Sequence, residues 1–294
     1  MNSSFLSTAL PPALAVIMFG LGLSLTGADF TRVARAPKAV AVALVCQVVV
    51  LPAVAFGLVM LFDLEPLLAV GMMLLAASPG GATANLFSHL FRGDVALNVT
   101  LTAVNSMLCV VTVPVVTNLA VHQFADNETG QLGLQFGKTV QVIAIVLIPV
   151  LIGMQVRRRA PGFAARMDLP VRIASVLILA VIVAVTMIAD RAAIGGYFLD
   201  VGAITMVFCV ISLVTGYLVP LAFGVSAPQA IASSMEVGVH NSAIAITLAI
   251  TVLDSARIAV PAAVYAVLMT PLATLFGALI SRRAVHREPA PVTA

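Results

Sequence analysis

Runs of about twenty consecutive apolar residues recur along the whole chain, each long enough to cross the roughly 30 Å hydrocarbon core of a bilayer. In hydrocarbon no water is present to satisfy backbone N–H and C=O groups, so repeated runs of this length and without strand alternation require a bundle of helices. Nine spans are expected, at about 5–26, 37–62, 66–91, 95–120, 136–156, 170–189, 197–223, 227–253 and 257–281. The loops between them are short, so residues 1–294 read as a single membrane-embedded unit. With 61% hydrophobic and 9% charged residues the chain cannot be a water-soluble domain.

The few charges orient the bundle. Arg32, Arg35, Lys38, Arg92, Arg157, Arg158, Arg159, Arg166, Arg172, Arg282, Arg283 and Arg287 fall on one side if the spans number nine, twelve of the fifteen Lys and Arg residues. That side reads as cytoplasmic, with the N-terminus outside and the C-terminus in the cytoplasm. The net charge of +3 is thus a product of topology and not a sign of nucleic-acid binding. Arg157, Arg158 and Arg159 also suit contact with anionic lipid. Asp254 and Arg257 are close enough in sequence to pair across an outer loop. Cys46, Cys109 and Cys209 lie inside apolar runs and are read as packing residues. No nucleophile–base set, metal-ligand cluster or phosphate loop is present in the sequence, which argues against an enzyme.

Two spans break the pattern. The third carries Ser78-Pro79-Gly80-Gly81-Ala82-Thr83-Ala84-Asn85 near its middle, and the eighth carries Met235-Glu236-Val237-Gly238-Val239-His240-Asn241. Proline removes a backbone donor and glycine weakens a helix, so both spans are expected to be interrupted at membrane depth. Interrupted helices in matching positions of two halves mark the central site of many transporters. A weak echo supports two halves: Leu51-Pro52-Ala53-Val54-Ala55-Phe56-Gly57 precedes the first break and Val219-Pro220-Leu221-Ala222-Phe223-Gly224 the second. Glu236 is the only acid in the middle of an apolar stretch. An intramembrane carboxylate is costly unless a cation balances it or it is protonated, which makes it a functional-site candidate.

On Pro79-Gly80-Gly81 with Asn85, Arg92-Gly93-Asp94-Val95-Ala96-Leu97-Asn98 with Thr102, Glu236-Val237-Gly238 with His240-Asn241-Ser242, and Gln47 ahead of Pro52, the chain resembles the bile acid:sodium symporter family over nearly its full length. The resemblance implies an all-α integral membrane protein of the bacterial inner membrane. It implies inverted repeats that form a core domain with two crossed broken helices, here about 37–120 and 197–253. A panel domain would comprise about 5–26, 136–189 and 257–281. It further implies two sodium ions behind the crossover. One would be held by Asn85, Asn98, Thr102 and Glu236, with Ala84 where the family often has Ser. The other would be held by Gln47, Glu236 and backbone at Val237 and Val239, with His240 where the family often has Gln.

Sodium is a hard cation that takes oxygen ligands, and Asn, Gln and Thr oxygens supply them without adding charge. His240 departs from that chemistry: imidazole offers nitrogen and titrates near physiological pH, so it either weakens the second sodium site, brings in a proton, or is a hydrogen-bonded core residue. Backbone amides at Gly80, Gly81, Ala82 and Thr83, at the start of a half-helix, suit an organic carboxylate, with Asn241 and Thr270 as further contacts. Leu268-Met269-Thr270-Pro271 is too apolar to argue for a bile-acid pocket. The functional expectation is sodium-coupled symport by alternating access of a small organic anion, pantoate- or keto-acid-like or bile-acid-like, the first type being favoured. A proton-coupled carrier using Glu236 and His240, a passive anion channel, and a membrane sensor with a structural ion site remain as alternatives. The sequence specifies no oligomeric state.

Overall fold

The computed structural model describes residues 32–125, 136–167 and 194–285, with scattered positions between 15 and 23 and between 170 and 177. A short 3-10 turn at Arg32–Arg35 leads into helix α1, Pro37–Leu61. Helices α2 (Pro66–Ala77), α3 (Ala82–Leu90) and α4 (Val95–Ala120) follow, then α5 (Phe136–Arg159), α6 (Ile194–Ala222), α7 (Ala227–Gly238), α8 (Ser242–Thr251) and α9 (Ala256–Val285). Among the described residues four helices are long and apolar enough to cross a membrane: Pro37–Leu61, Val95–Ala125, Phe198–Ala222 and Ala256–Arg282. The chain is a multi-pass, helical membrane protein. The expected first and sixth spans, 5–26 and 170–189, lie almost wholly outside the described residues.

Proline placement explains several boundaries. Pro37 and Pro66 open α1 and α2, and Pro228 lies in the first turn of α7, where a missing N–H would have no helical partner anyway. Pro52 has another effect, since its ring excludes the carbonyl four residues back. Just before it, α1 opens into a π turn at Cys46–Val50, in which the Leu51 amide donates to the Cys46 carbonyl. Such a turn re-aims the side chains on it, and Gln47 is one of them. At the start of α4 the Asp94 carboxylate accepts from the Leu97 amide at 3.0 Å, and the Asp94 amide donates to the Pro228 carbonyl at 2.9 Å. The Arg92-Gly93-Asp94 turn is thereby fixed to the beginning of α7.

Both expected interruptions are present. Helix α2 ends at Ala77 and α3 begins at Ala82, with Ser78 and Gly81 extended. Helix α7 ends at Gly238 and α8 begins at Ser242. The stretches expected as the third and eighth spans are therefore pairs of shorter helices.

Small residues bring these half-helices close to their neighbours. A β-carbon on Gly216 of α6 would lie 2.9 Å from the Ser234 Cα, and one on Gly238 would lie 2.4 Å from the Leu213 side chain. The Ser234 hydroxyl also donates to the Leu213 carbonyl at 2.8 Å. On the other side, a β-carbon on Gly71 of α2 would lie 2.2 Å from the Ile258 carbonyl oxygen of α9. Close backbone approach of this kind is how helices pack tightly without a hydrophobic drive in lipid.

Helix α9 lies against α2, α6, α7 and α8, the elements that surround the two breaks. Its apolar run gave no direction, because a helix that is hydrophobic on every side does not reveal which neighbours it meets. Helix α5 packs against α4, and a β-carbon on its Gly153 would lie 2.5 Å from the Phe19 carbonyl.

Candidate functional site

The two breaks meet. The Gly81 amide donates to the Val239 carbonyl at 3.3 Å, and the Asn241 amide donates to the Pro79 carbonyl at 2.8 Å. Gly80 and His240 form an isolated antiparallel bridge between these bonds. Two unwound segments thus satisfy some of each other's backbone groups where water is scarce, the condition under which broken helices persist at membrane depth.

Glu236, in the last turn of α7, is fully buried beside this bridge. The Thr102 hydroxyl lies 2.6 Å from its Oε2 and the Asn105 side-chain amide donates to its Oε1 at 3.0 Å. Thr102 also lies 3.0 Å from the Asn98 carbonyl, but its single proton serves the shorter contact to the carboxylate. Among the described residues no Lys or Arg pairs with Glu236. One turn earlier on α7, the Ala232 carbonyl accepts from the Asn98 side chain at 2.7 Å. Asn98, Thr102 and Asn105 follow one another by four and three residues on α4, so they form one stripe along the α7 surface.

The carbonyl of Ser78, at the end of α2, accepts from two side chains. Gln47 Nε2 donates at 2.9 Å and His240 Nδ1 at 3.0 Å. A carbonyl can only accept, so Nδ1 carries a proton, and Nε2 is buried without a hydrogen-bond partner. The imidazole stacks on Phe208 and meets Tyr265 edge-on, with ring centroids 5.5 Å away in both cases. The Tyr265 hydroxyl donates to the Gly238 carbonyl at 2.8 Å, which satisfies one of the free carbonyls at the end of α7.

The sequence-derived residues divide in this setting. Glu236 and Thr102 are joined directly, and Asn98 is one turn from them on α4. Gln47 and His240 converge on Ser78 rather than on the carboxylate. Asn85 and Ala84 sit on α3, which packs against α4 and α7. Ala84 is buried and offers no side-chain oxygen. The side-chain carbonyl oxygens of Gln47, Asn85, Asn98 and Asn105 are buried and unpartnered. Buried acceptors of this sort are rare unless water or an ion completes them. Val237 and Val239 are buried in the last turn of α7 and just past it.

The residues expected to contact an anion occupy different settings. The Gly81 and Asn241 amides are already engaged in the crossover, and the Asn241 side chain accepts from Ile244 N at 3.4 Å as the cap of α8. Helix α3, in contrast, has no side-chain cap on its first amides, those of Ala82 and Thr83. Gly80 is pressed against the Glu236 carboxylate. Thr270 is exposed on α9, five residues and about 140° around the helix from the inward-facing Tyr265, away from the crossover. At the outer loops, Arg257 bonds Glu65 and lies 3.6 Å from Asp200. Asn105 and Tyr265 were not chosen as site residues from sequence. The stripe of Asn98, Thr102 and Asn105 was the signal for the first; Tyr265 left none.

Comparison with known proteins fits this geometry. The sequence model described as "Sodium Bile acid symporter family" matches residues 11–196. The chain is 28% identical over 264 residues to the uncharacterized sodium-dependent transporter YocS of Bacillus subtilis (strain 168), covering 90% of this chain and 80% of that protein. It is 27% identical over 286 residues to the probable sodium/metabolite cotransporter BASS1, chloroplastic, of Arabidopsis thaliana, covering 92% of this chain and 66% of that one. To the human sodium-dependent organic anion transporter it is 26% identical over 238 residues, covering 80% and 62%. The chain thus spans less than two thirds of the length of the plant and human relatives.

Proposed function

The chain belongs to the Sodium Bile acid symporter family, whose members are transporters and not enzymes, and from that premise we propose that it carries a small organic anion across the membrane together with sodium. The observation that carries this reading is the fully buried Glu236 carboxylate, held between two broken helices by neutral donors alone. An unbalanced carboxylate in that position calls for a cation. The unpartnered oxygens of Asn85, Asn98 and Gln47 are of the type that ligates sodium, which takes neutral carbonyl oxygens readily.

In this reading Asn85, Asn98, Thr102 and Glu236 hold the first sodium, near Ala84. The second site, around Gln47, Glu236, Val237, Val239 and His240, is the weaker, because Gln47 and His240 already donate to the same carbonyl. Sodium beside the carboxylate neutralises it and biases the crossover toward an anion. A unit charge pair at 4 Å contributes about 4 kcal/mol at an effective dielectric near 20. The substrate carboxylate would sit on the amides of Ala82 and Thr83 at the uncapped start of α3. Substrates of the pantoate or keto-acid type suit the chain better than bile acids, for which the apolar Leu268-Met269-Thr270-Pro271 segment offers no polar contacts beyond Thr270.

Transport would proceed by alternating access. A core of α1–α4 and α6–α9, about 37–120 and 197–281, moves against a panel built from about 5–26 and 136–189. Moving α9 into the core follows from its packing on α2, α6, α7 and α8. The N-terminus is assigned outside and the C-terminus to the cytoplasm of the bacterial inner membrane.

The test is uptake of radiolabelled small organic acids into proteoliposomes with an inward sodium gradient. Concentrative uptake that collapses when potassium replaces sodium at fixed pH is expected. Equal uptake in potassium that follows a pH gradient would move the reading to proton coupling through Glu236 and His240. Flux that only equilibrates would make the protein a passive facilitator.

A further inference from the structure

We propose that a narrow cleft between α1 and α4 is a cation vestibule leading to Glu236, with Gln47 and Asn105 as its inner ligands, an inference that rests on Glu236 being the coupling carboxylate. The cleft is lined by Gln47, Val48 and Pro52 from α1, Pro79 from the first break, and Asn105 and Thr112 from α4, among others. On α4 the lining positions repeat at intervals of three and four residues, one continuous stripe about 16 Å long. On α1 the lining is set by the π turn at Cys46–Val50, which carries Gln47 and Val48.

Two features at the inner end point to a ligand. Gln47 and Asn105 are more than nine-tenths buried, and the oxygen of each side-chain amide has no partner. Their nitrogens are committed elsewhere. Gln47 Nε2 faces the Ser78 carbonyl and Asn105 Nδ2 faces Glu236 Oε1, and neither acceptor tolerates an oxygen in that position. Both amides are therefore fixed with their oxygens left over, and both residues line the same cleft.

The chemistry of the ligand follows. The unpaired groups are acceptors only, so an organic anion is repelled. No carboxylate lines the cleft, so a divalent cation, which draws on carboxylate ligands, is poorly served. The free space within it is about 10 Å³, about the size of one water. A monovalent hard cation fits: it would shed water onto two neutral oxygens, then pass to the carboxylate that Asn105 already touches. Asn105 is in this sense a positioning residue, orienting the carboxylate with one end and receiving the cation with the other.

The experiment uses the full-length protein in detergent with sodium chloride as the probe and choline chloride at matched ionic strength as the control. Melting temperature is followed against sodium concentration, because a ligand that binds only the folded state raises it. Asn105→Leu is expected to raise the half-saturating sodium concentration about tenfold or more, since a buried oxygen and a donor to a charged group are lost together. Thr112→Asp, which adds a charge to the cleft wall without touching Glu236 or Ser78, is expected to lower it and to let calcium stabilise the protein. An unchanged sodium titration in both variants would overturn the vestibule and mark the cleft as water-filled only. Should Asn105→Leu not fold, Thr112→Asp alone decides: no shift in its sodium or calcium titration overturns the proposal. Glu236→Gln separates the two levels. If it leaves the sodium response intact, the coupling role of Glu236 fails, and the vestibule proposal fails with it. If it abolishes the response while the cleft variants do nothing, only the vestibule fails.

Discussion

A β-carbon placed on Gly80 would lie 2.4 Å from Glu236 Cδ and 2.5 Å from both of its oxygens, so bare backbone from one broken helix touches the carboxylate of the other. Only glycine leaves room for that contact. Gly80→Ala must push the carboxylate off Thr102 or spread the two breaks apart. Overpacking of this type costs about 1–3 kcal/mol. A lower melting temperature in choline is expected, together with loss of the sodium-induced rise, measured by differential scanning fluorimetry. Wild-type behaviour would mean that the carboxylate has another position available.

Thr102 holds the other side of the same group. Thr102→Val keeps the shape of the side chain and removes only the hydroxyl, which lies 2.6 Å from Glu236 Oε2. Loss of a hydrogen bond to a charged group is worth about 1.5–3 kcal/mol. The hydroxyl oxygen is also a proposed sodium ligand, so the half-saturating sodium concentration should rise by about tenfold or more in a fluorimetric titration. A variant that loses stability in choline yet titrates normally with sodium would restrict Thr102 to a structural role.

The interruptions were legible in the sequence because their causes are local. Pro79 and its two glycines cannot continue a helix, and Glu236 cannot face lipid. Where those segments go was not legible. The bond from Tyr265 to Gly238 joins residues on different helices, and nothing in an apolar run singles out the tyrosine that will make it. Asn105 looked like any polar residue that bridges packed helices until its distance to Glu236 was known. The placement of α9 beside α2 also depends on Gly71, whose close approach to Ile258 is visible only in three dimensions. The backbone bonds from Gly81 to Val239 and from Asn241 to Pro79 join the two breaks to each other, a pairing that no single segment encodes.

Tyr265 tests how far the end of α7 must be held. Tyr265→Phe retains the ring that meets His240 and Phe208 and removes the hydroxyl, which donates to the Gly238 carbonyl and also contacts the Cys209 and Ser212 side chains. An unsatisfied buried acceptor costs about 1–3 kcal/mol. Thermal stability should fall accordingly. Sodium affinity should fall with it if the strain is relieved by movement of Val239 and His240. A thermal titration of the variant with sodium separates the two effects, since a purely structural loss lowers every melting temperature by the same amount.

Arg257 gives a contrasting case. Its guanidinium donates to Glu65, just before α2, and lies 3.6 Å from Asp200 on α6, so it ties the start of α9 to two neighbours. The side chains involved are 33% and 44% exposed, however, and water and salt screen such pairs. Exposed pairs typically contribute about 0.2–1 kcal/mol. Arg257→Ala should therefore change stability by less than about 1 kcal/mol at low salt, and by still less in about 1 M salt, where the Debye length is near 3 Å. Denaturation midpoints at the two ionic strengths check this. A larger loss that persists in high salt would mean that the Arg257 stem contributes packing between α9, α2 and α6 beyond its charge.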